Sequence, residues 1–283
     1  WKLMTKIKVA FQGELGAYSH IAVNEVFNDV EIKTCSTFEE TFKTAFEDES
    51  YKIVIPLENS LAGRVADIHY LLPKYKLQIH GEHFQTVEHN LIAKPEAQMK
   101  DIKFVRSHAQ AIGQCQKIIM ENSYKTIISA DTAGSAKELS DSKDKSIAAI
   151  ASKLSAEIYK LKILKKNIED EKGNVTRFLI MGKKVQQPDF QKEKKYVTTC
   201  IFRLKSKPSA LYKSLGGFAT NQINMTKLES FSVKNTFAQT NFYLDFEGHL
   251  DDKPVQNAME ELGFHTERLD ILGVYEASTF RQK

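Results

Sequence analysis

Short apolar runs alternate with stretches of helical period through the first two-thirds of the chain. IKVAF (7–11) leads into GELGAYSHIAVNEVF, KIVIP (52–56) into LENSLAGRVADIHYLL, and IKFVRS (102–107) into HAQAIGQCQKIIM. KTIISA (125–130) precedes TAGSAKEL with Asp131 placed as its N-cap, and SIAAIA (146–151) precedes SKLSAEIYKL. In STFEETFKTAF, Ser36 and Glu39 have the spacing of a capping box, and Phe38, Phe42 and Phe46 share one helical face. Strands alternating in this way with helices predict an α/β domain built on a largely parallel sheet.

The pattern breaks at KKVQQPDFQKEKK (183–195), which is charged, nearly free of apolar residues and carries a proline, so a linker is expected over 184–196. A shorter module follows. TTCIFRL (198–204) reads as a strand and KPSALYKSLGGFATN as a helix; INMTKLESFSV (223–233) and TFAQTNFYLDFE (236–247) read as a strand pair. DDKPVQNAMEELGF is a second helix and HTERLDILGVYEA a last strand. That order, βαββαβ, is the α+β ferredoxin-like arrangement.

A chain of 283 residues, 42% hydrophobic and 27% charged, is long enough for more than one domain and has the composition of a globular protein with a real core. Its formal net charge of +4 comes from lysines scattered over the chain, which excludes a nucleic-acid track. Cys35, Cys115 and Cys200 follow no spacing, which fits a reducing cytoplasm and argues against a disulfide framework or a cysteine metal site. No window has the apolar length of a membrane span, and TKIKVAF, behind Met4 and the leader Trp1 to Leu3, is too charged for a signal peptide. His80, His83 and His89 sit in HGEHFQTVEHN at no ligand spacing, so no metal is expected. No dinucleotide fingerprint, phosphate loop or nucleophile elbow occurs.

Small polar residues gather where strands hand over to helices. GELGAYS, LENSLAG, SHAQA and DTAGSA all span such junctions, the edge at which open α/β sheets bind ligands. Helix amino termini converging there favour an anion, and Gly13, Gly16 and Gly63 would let the backbone approach it. Singly, Ser19, Ser60 and Asp131 read as helix caps, Glu58 as a loop acid and His108 as a helix-start histidine. The run GNVTRFLIMG (173–182) is otherwise a buried strand, yet it holds Thr176 and Arg177. Burying a guanidinium costs several kcal/mol unless an anion meets it, so Arg177 lies at a wet end or faces a negative group.

The order GELGAYS, PLENSLAG, SHAQAIGQC, AAIAS and NVTRF, followed by a βαββαβ module, resembles prephenate dehydratase with a C-terminal ACT regulatory domain, over about residues 7 to 277. The resemblance implies a bilobal catalytic domain like type II periplasmic binding proteins over 5–183, with its active-site cleft between the lobes, and an ACT domain over 197–278. It implies a monofunctional enzyme with no room for a chorismate mutase segment. It further implies cofactor-free loss of CO₂ and water from prephenate, giving phenylpyruvate for phenylalanine synthesis. Thr176 matches the family's essential threonine and would donate to the departing oxygen. Glu58, Asn59, Ser60 and Gly63 match or adjoin the ENS element. Ser107, His108, Gln110 and Ala111 match the SHPQA element, with Ala109 in place of proline. Asn174, Arg177 and Phe178 complete the substrate-binding set. Arg177 either meets a substrate carboxylate or braces the site through Glu58 or another acid, because alternation sends Thr176 and Arg177 to opposite faces. Phe178 would wall the ring, and Glu58 and His108 are candidates to relay a proton.

The ACT resemblance implies an amino-acid effector, phenylalanine, bound between modules of a homodimer or homotetramer. The matching residues are Ser209, Ala210 and Leu211 in KPSAL, with serine where the family has glycine, and Asn224, Leu228, Glu229 and Ser230 around KLESFS. Phe231 and Ser232 stand where that second motif has arginine and proline. Two other readings fit the same residues: arogenate dehydratase, which performs this elimination on an amine-bearing substrate, and a non-catalytic bilobal ligand-binding module.

Overall fold

The alternation of strands and helices is realised in a computed structural model, which describes residues 6–184, 186–233 and 239–282. The leader through Met4, the expected domain start at Thr5, Val185 of the linker and Thr236 to Ala238 of the expected strand lie outside the described residues. The chain opens with β1 (Ile7–Gln12), α1 (Tyr18–Val26), β2 (Val30–Cys35), α2 (Phe38–Glu47), β3 (Tyr51–Asn59) and β4 (Gly63–Arg64). Next come α3 (Ala66–Tyr75), β5 (Gln78–Thr86), β6 (Asn90–Ala93), β7 (Phe104–Ser107), α4 (Ala109–Gly113), α5 (Gln116–Glu121) and β8 (Lys125–Ile128). Then α6 (Thr132–Asp141), β9 (Ile147–Ala151), α7 (Lys153–Ile158), β10 (Lys162–Lys165) and β11 (Val175–Gly182) follow. The last part holds β12 (Tyr196–Leu204), α8 (Ala210–Thr220), β13 (Met225–Ser232), β14 (Thr240–Glu247), α9 (Lys253–His265) and β15 (Thr266–Glu276).

The fold is mixed α/β. One sheet has the order β2-β1-β3-β11-β5 with β4 paired to β3, and a second has the order β10-β6-β9-β7-β8. The expected parallel pairing holds for β1 with β2 and for β7 with β8 and β9. It fails at β6, which runs antiparallel to both β9 and β10. The third sheet, β13-β14-β12-β15, is antiparallel throughout, the strand order of a ferredoxin-like βαββαβ unit. Phe202, Phe218, Leu244, Phe246, Val255 and Leu262 bury its helices against the sheet. At Gly217 of α8 an added Cβ would stand 3.1 Å from the Ala258 Cα of α9, so only glycine permits this approach of the two helices.

Local signals shifted in two places. The capping box of α2 is built by Thr37, whose Oγ1 accepts from the Glu40 N–H, and by Glu40, whose carboxylate accepts from Ser36 N–H. The helix starts at Phe38, so Glu40 rather than Glu39 is its third residue. The helix expected from Lys207 starts only at Ala210, because Ser209 stands in the left-handed region with φ 61°. Asp131 caps α6 as expected, accepting from Gly134 N–H at 2.6 Å.

Contacts divide the chain into two compact units. Of the described residues, one holds those up to Thr41, Val54–Val65 and His83–Phe178; the other holds Phe42–Ile53, Ala66–Glu82 and those from Leu179 onward.

Candidate active site

The predicted substrate residues all fall in the first unit. Gly173, at φ 83°, breaks the chain just before β11, and the apolar run Val175 to Met181 then carries the strand into the core. Thr176 and Arg177 are both inside, 9% and 3% exposed. The guanidinium is therefore not at a wet end: its Nη1 lies 3.4 Å from Glu58 Oε1 on β3. This contact is the one that the bracing role of Arg177 requires.

On the other side of β11, Asn59 Nδ2 donates to Thr176 Oγ1 at 2.9 Å and to Asn174 Oδ1 at 2.6 Å. Its own Oδ1 accepts from the N–H groups of Leu61 and Ala62, at 3.0 and 2.8 Å. That turn fixes the amide, since the oxygen faces the loop and the nitrogen must face the threonine. Because Oγ1 is the acceptor here, the hydroxyl hydrogen of Thr176 points elsewhere. The loop itself is held at both ends. Glu58 and Asn59 pair with Arg64 and Gly63 across β3 and β4, with Gly63 at φ 80°. Ser60 N–H donates to the Val175 carbonyl at 2.8 Å, while its Oγ accepts from Val175 N–H at 2.9 Å. Ser60 is thus a clamp on the residue before Thr176, not a helix cap.

Behind Asn174 a polar chain continues. Asn174 Nδ2 donates to Gln114 Oε1 at 3.0 Å, and that oxygen lies 2.9 Å from His89 Nε2. His89 Nδ1 lies 3.1 Å from the Tyr18 hydroxyl, which donates to the Glu88 carbonyl at 2.6 Å. Burial lowers the pKa of His89 against the opposing pull of Gln114 and Glu169, and burial raises the Tyr18 pKa well above its ordinary value. Tyr18, His89 and Gln114 were not singled out in the sequence. Tyr18 and Gln114 stand inside the GELGAYS and SHAQAIGQC elements, and His89 lies in HGEHFQTVEHN at no ligand spacing.

Ser107, Ala111 and Phe178 are interior as well. Ser107 is fully buried and its Oγ donates to the Ile150 carbonyl at 2.7 Å. Ala111 packs with Val105, Cys115 and Ile150 in the core of the second sheet. Phe178 is 1% exposed, its ring packed in the interior. His108 caps α4, its Nδ1 accepting from Gln110 N–H at 3.3 Å, and Gln110 is exposed. Gly16 serves the fold, not a guest: an added Cβ would meet the Cα of Ser155 at 2.7 Å, and Ser152 and Ser155 both donate to its carbonyl.

In the second unit, Ser209, Ala210 and Leu211 line a cavity of about 630 Å³ together with Arg203, Lys205 and Phe242. Asn224, Leu228, Glu229 and Ser230 are not part of that lining. Glu229 instead meets Lys227 at 2.5 Å and His69 of α3 at 3.1 Å.

The prephenate dehydratase family model matches residues 9–186. A protein of Komagataeibacter europaeus named bifunctional N-acyl-homoserine lactone acylase/prephenate dehydratase is 41% identical over 97% of this chain and 98% of its own. The chloroplastic arogenate dehydratase/prephenate dehydratase 2 of Arabidopsis thaliana is 33% identical over 97% of this chain and 74% of its own. The crystal structure of prephenate dehydratase from Arthrobacter aurescens in complex with L-Phe superposes with a TM-score of 0.89, at 25% identity, over 98% of this chain and 92% of that one.

Proposed function

This chain belongs to the prephenate dehydratase family, and on that premise we propose that it converts prephenate to phenylpyruvate, CO₂ and water with Thr176 as its catalytic hydroxyl. The C–CO₂ bond breaks, its electron pair enters the ring as the ring becomes aromatic, and the C4–OH bond breaks in turn. The departing hydroxide takes a proton to become water. Electron flow within the substrate makes an external electron sink unnecessary, so the remaining barrier is the charge building on the leaving oxygen. The observation that carries the reading is the Asn59–Thr176 contact: a hydroxyl whose oxygen is held by an amide N–H has its own hydrogen directed away. Asn59 and Ser60 position this hydroxyl, and Asn174 accepts the other hydrogen of the Asn59 amide. Arg177 stiffens the strand through Glu58.

We read 5–183 as the catalytic domain with the substrate between its lobes, 184–196 as a linker, and 197–278 as an ACT domain. The effector is an amino acid, phenylalanine, taken at Ser209–Leu211 with Asn224 and Leu228–Ser230 supplied by a neighbouring copy in a homodimer or homotetramer. The cavity lined by the first three residues supports this reading, and so does the separation of the other four from it. Cytoplasmic location agrees with three buried free cysteines.

The test offers prephenate and arogenate side by side and follows CO₂ release. Prephenate turnover well above arogenate turnover is expected; preference for arogenate would make the chain an arogenate dehydratase, and turnover of neither would end the enzyme reading. The 41% relative named for two activities gives a second reading, N-acyl-homoserine lactone acylase, in addition to the first. Release of free fatty acid from such a lactone by the same preparation would establish it and remove the monofunctional assignment.

A further inference from the structure

We propose that His89 and Tyr18 are positioning residues for this reaction, acting through Gln114, Asn174 and Asn59 to keep the Thr176 hydroxyl turned outward as a donor. The proposal rests on the dehydratase reading above. Directions along the chain follow from chemistry, since amide oxygens only accept and amide nitrogens only donate. Two backbone N–H groups occupy the Asn59 oxygen, so its nitrogen faces both Asn174 and Thr176. Asn174 must then show its oxygen to Asn59 and its nitrogen to Gln114. Gln114 must answer with its oxygen, and the His89 Nε2 beside that same oxygen must carry a hydrogen. His89 is therefore the Nε2–H tautomer, its Nδ1 an acceptor beside the Tyr18 hydroxyl, whose single hydrogen is shared between Nδ1 and the Glu88 carbonyl.

The far end matters because amides are nearly symmetric in shape. Asn174 and Gln114 fit their sites equally well turned over, so packing does not choose between the two orientations; polar partners do. Without the His89 N–H, Gln114 loses one of the two donors that hold its oxygen in place. Gln114 then holds the Asn174 amide less firmly, and the 2.6 Å contact between Asn174 Oδ1 and Asn59 Nδ2 loosens. Asn59 Nδ2, released on that side, no longer holds Thr176 Oγ1 in one geometry. Burial favours the neutral ring: His89 is 3% and Asn174 2% exposed. The neighbouring Glu169 binds the backbone N–H of His89, not its ring.

Three variants and one spectrum test this. His89→Leu is expected to lower kcat on the order of 10- to 100-fold with KM within about threefold, the signature of lost orientation rather than lost binding. His89→Gln, which returns an N–H near the Nε2 position, is expected to recover most of that loss. Tyr18→Phe removes one oxygen only and is expected to lower kcat about threefold or more. Nitrogen-15 NMR of the parent's imidazoles is expected to show His89 neutral and protonated at Nε2. The proposal is overturned by parent-like kcat in a folded His89→Leu, by equal loss in the Leu and Gln variants, or by a hydrogen on Nδ1. If His89→Leu does not fold, Tyr18→Phe and the tautomer decide. A parent inactive on both prephenate and arogenate would instead overturn the dehydratase reading, leaving the NMR result intact.

Discussion

Thr176→Val replaces one hydroxyl with a methyl of similar volume inside β11, so folding and catalysis respond separately. On the folding side, Asn59 Nδ2 loses its acceptor at 2.9 Å but keeps Asn174 Oδ1 at 2.6 Å. One N–H is left without its partner in a site where Thr176 was 9% exposed, a loss of about 1–3 kcal/mol. Valine suits a strand, so no backbone penalty adds to this. On the catalytic side, removing a single donor aimed at developing negative charge costs about 10²- to 10³-fold in kcat, or about 2.7–4 kcal/mol. KM should stay within about threefold, because the leaving oxygen is neutral in bound substrate. Thr176→Ser keeps the donor and loses one methyl, about 0.8 kcal/mol of burial, so kcat should remain within about tenfold. Phenylpyruvate formation from prephenate gives the rates, and a thermal melt of each variant gives the folding cost. A well-folded Thr176→Val with kcat within about threefold of the parent would refute the hydroxyl's role, as would a serine variant no better than valine.

Acid should destabilise the fold through buried histidines: burial lowers the pKa of His20, His80 and His89, His80 to about 4 with Lys52 adding to the effect. Their unfolded forms protonate near about 6.5, so this stability is full above that pH and lost as pH falls toward about 4. Melts between about pH 7.5 and 4.5 should show Tm falling, less steeply in His80→Gln, and a flat parent profile would sink the argument. Arg281 holds the fully buried carboxylate of Glu82 through Nε at 2.6 Å and Nη2 at 2.9 Å, so Arg281→Ala should cost about 3–5 kcal/mol in urea unfolding. A cost below about 1 kcal/mol would show that the pair does not anchor the C-terminal turn. Ser209→Gly removes a side chain held at φ 61° and should add about 1 kcal/mol, raising Tm by about 2–4 °C; an unchanged or lower Tm would mean that the serine side chain contributes a compensating contact.

What the sequence disclosed follows the physics of each signal. β1 and β9 were legible because their apolar runs are buried at successive positions and bounded by small polar residues. β5 was not, because QIHGEHFQT alternates among polar side chains that are mostly half-buried, and periodicity has little to grip there. The antiparallel course of β6 was equally hidden, since direction is decided by tertiary pairing and leaves no local mark. The clearest case is the site. Motif spacing brought Asn59, Asn174 and Thr176 into view together, although they lie 115 and 117 residues apart along the chain and meet only after folding. The same motifs also named Ser107, Ala111 and Phe178, which are interior. A motif marks a piece of backbone near the chemistry, while burial and pairing decide which side chains face it. His89, Gln114 and Tyr18 show the converse. They come from three segments, and no spacing relates a tyrosine opening α1 to a histidine before β6 or a glutamine after α4. What joins them is the requirement that every buried amide and imidazole find a partner of the right sense, a constraint that acts only once the segments are assembled.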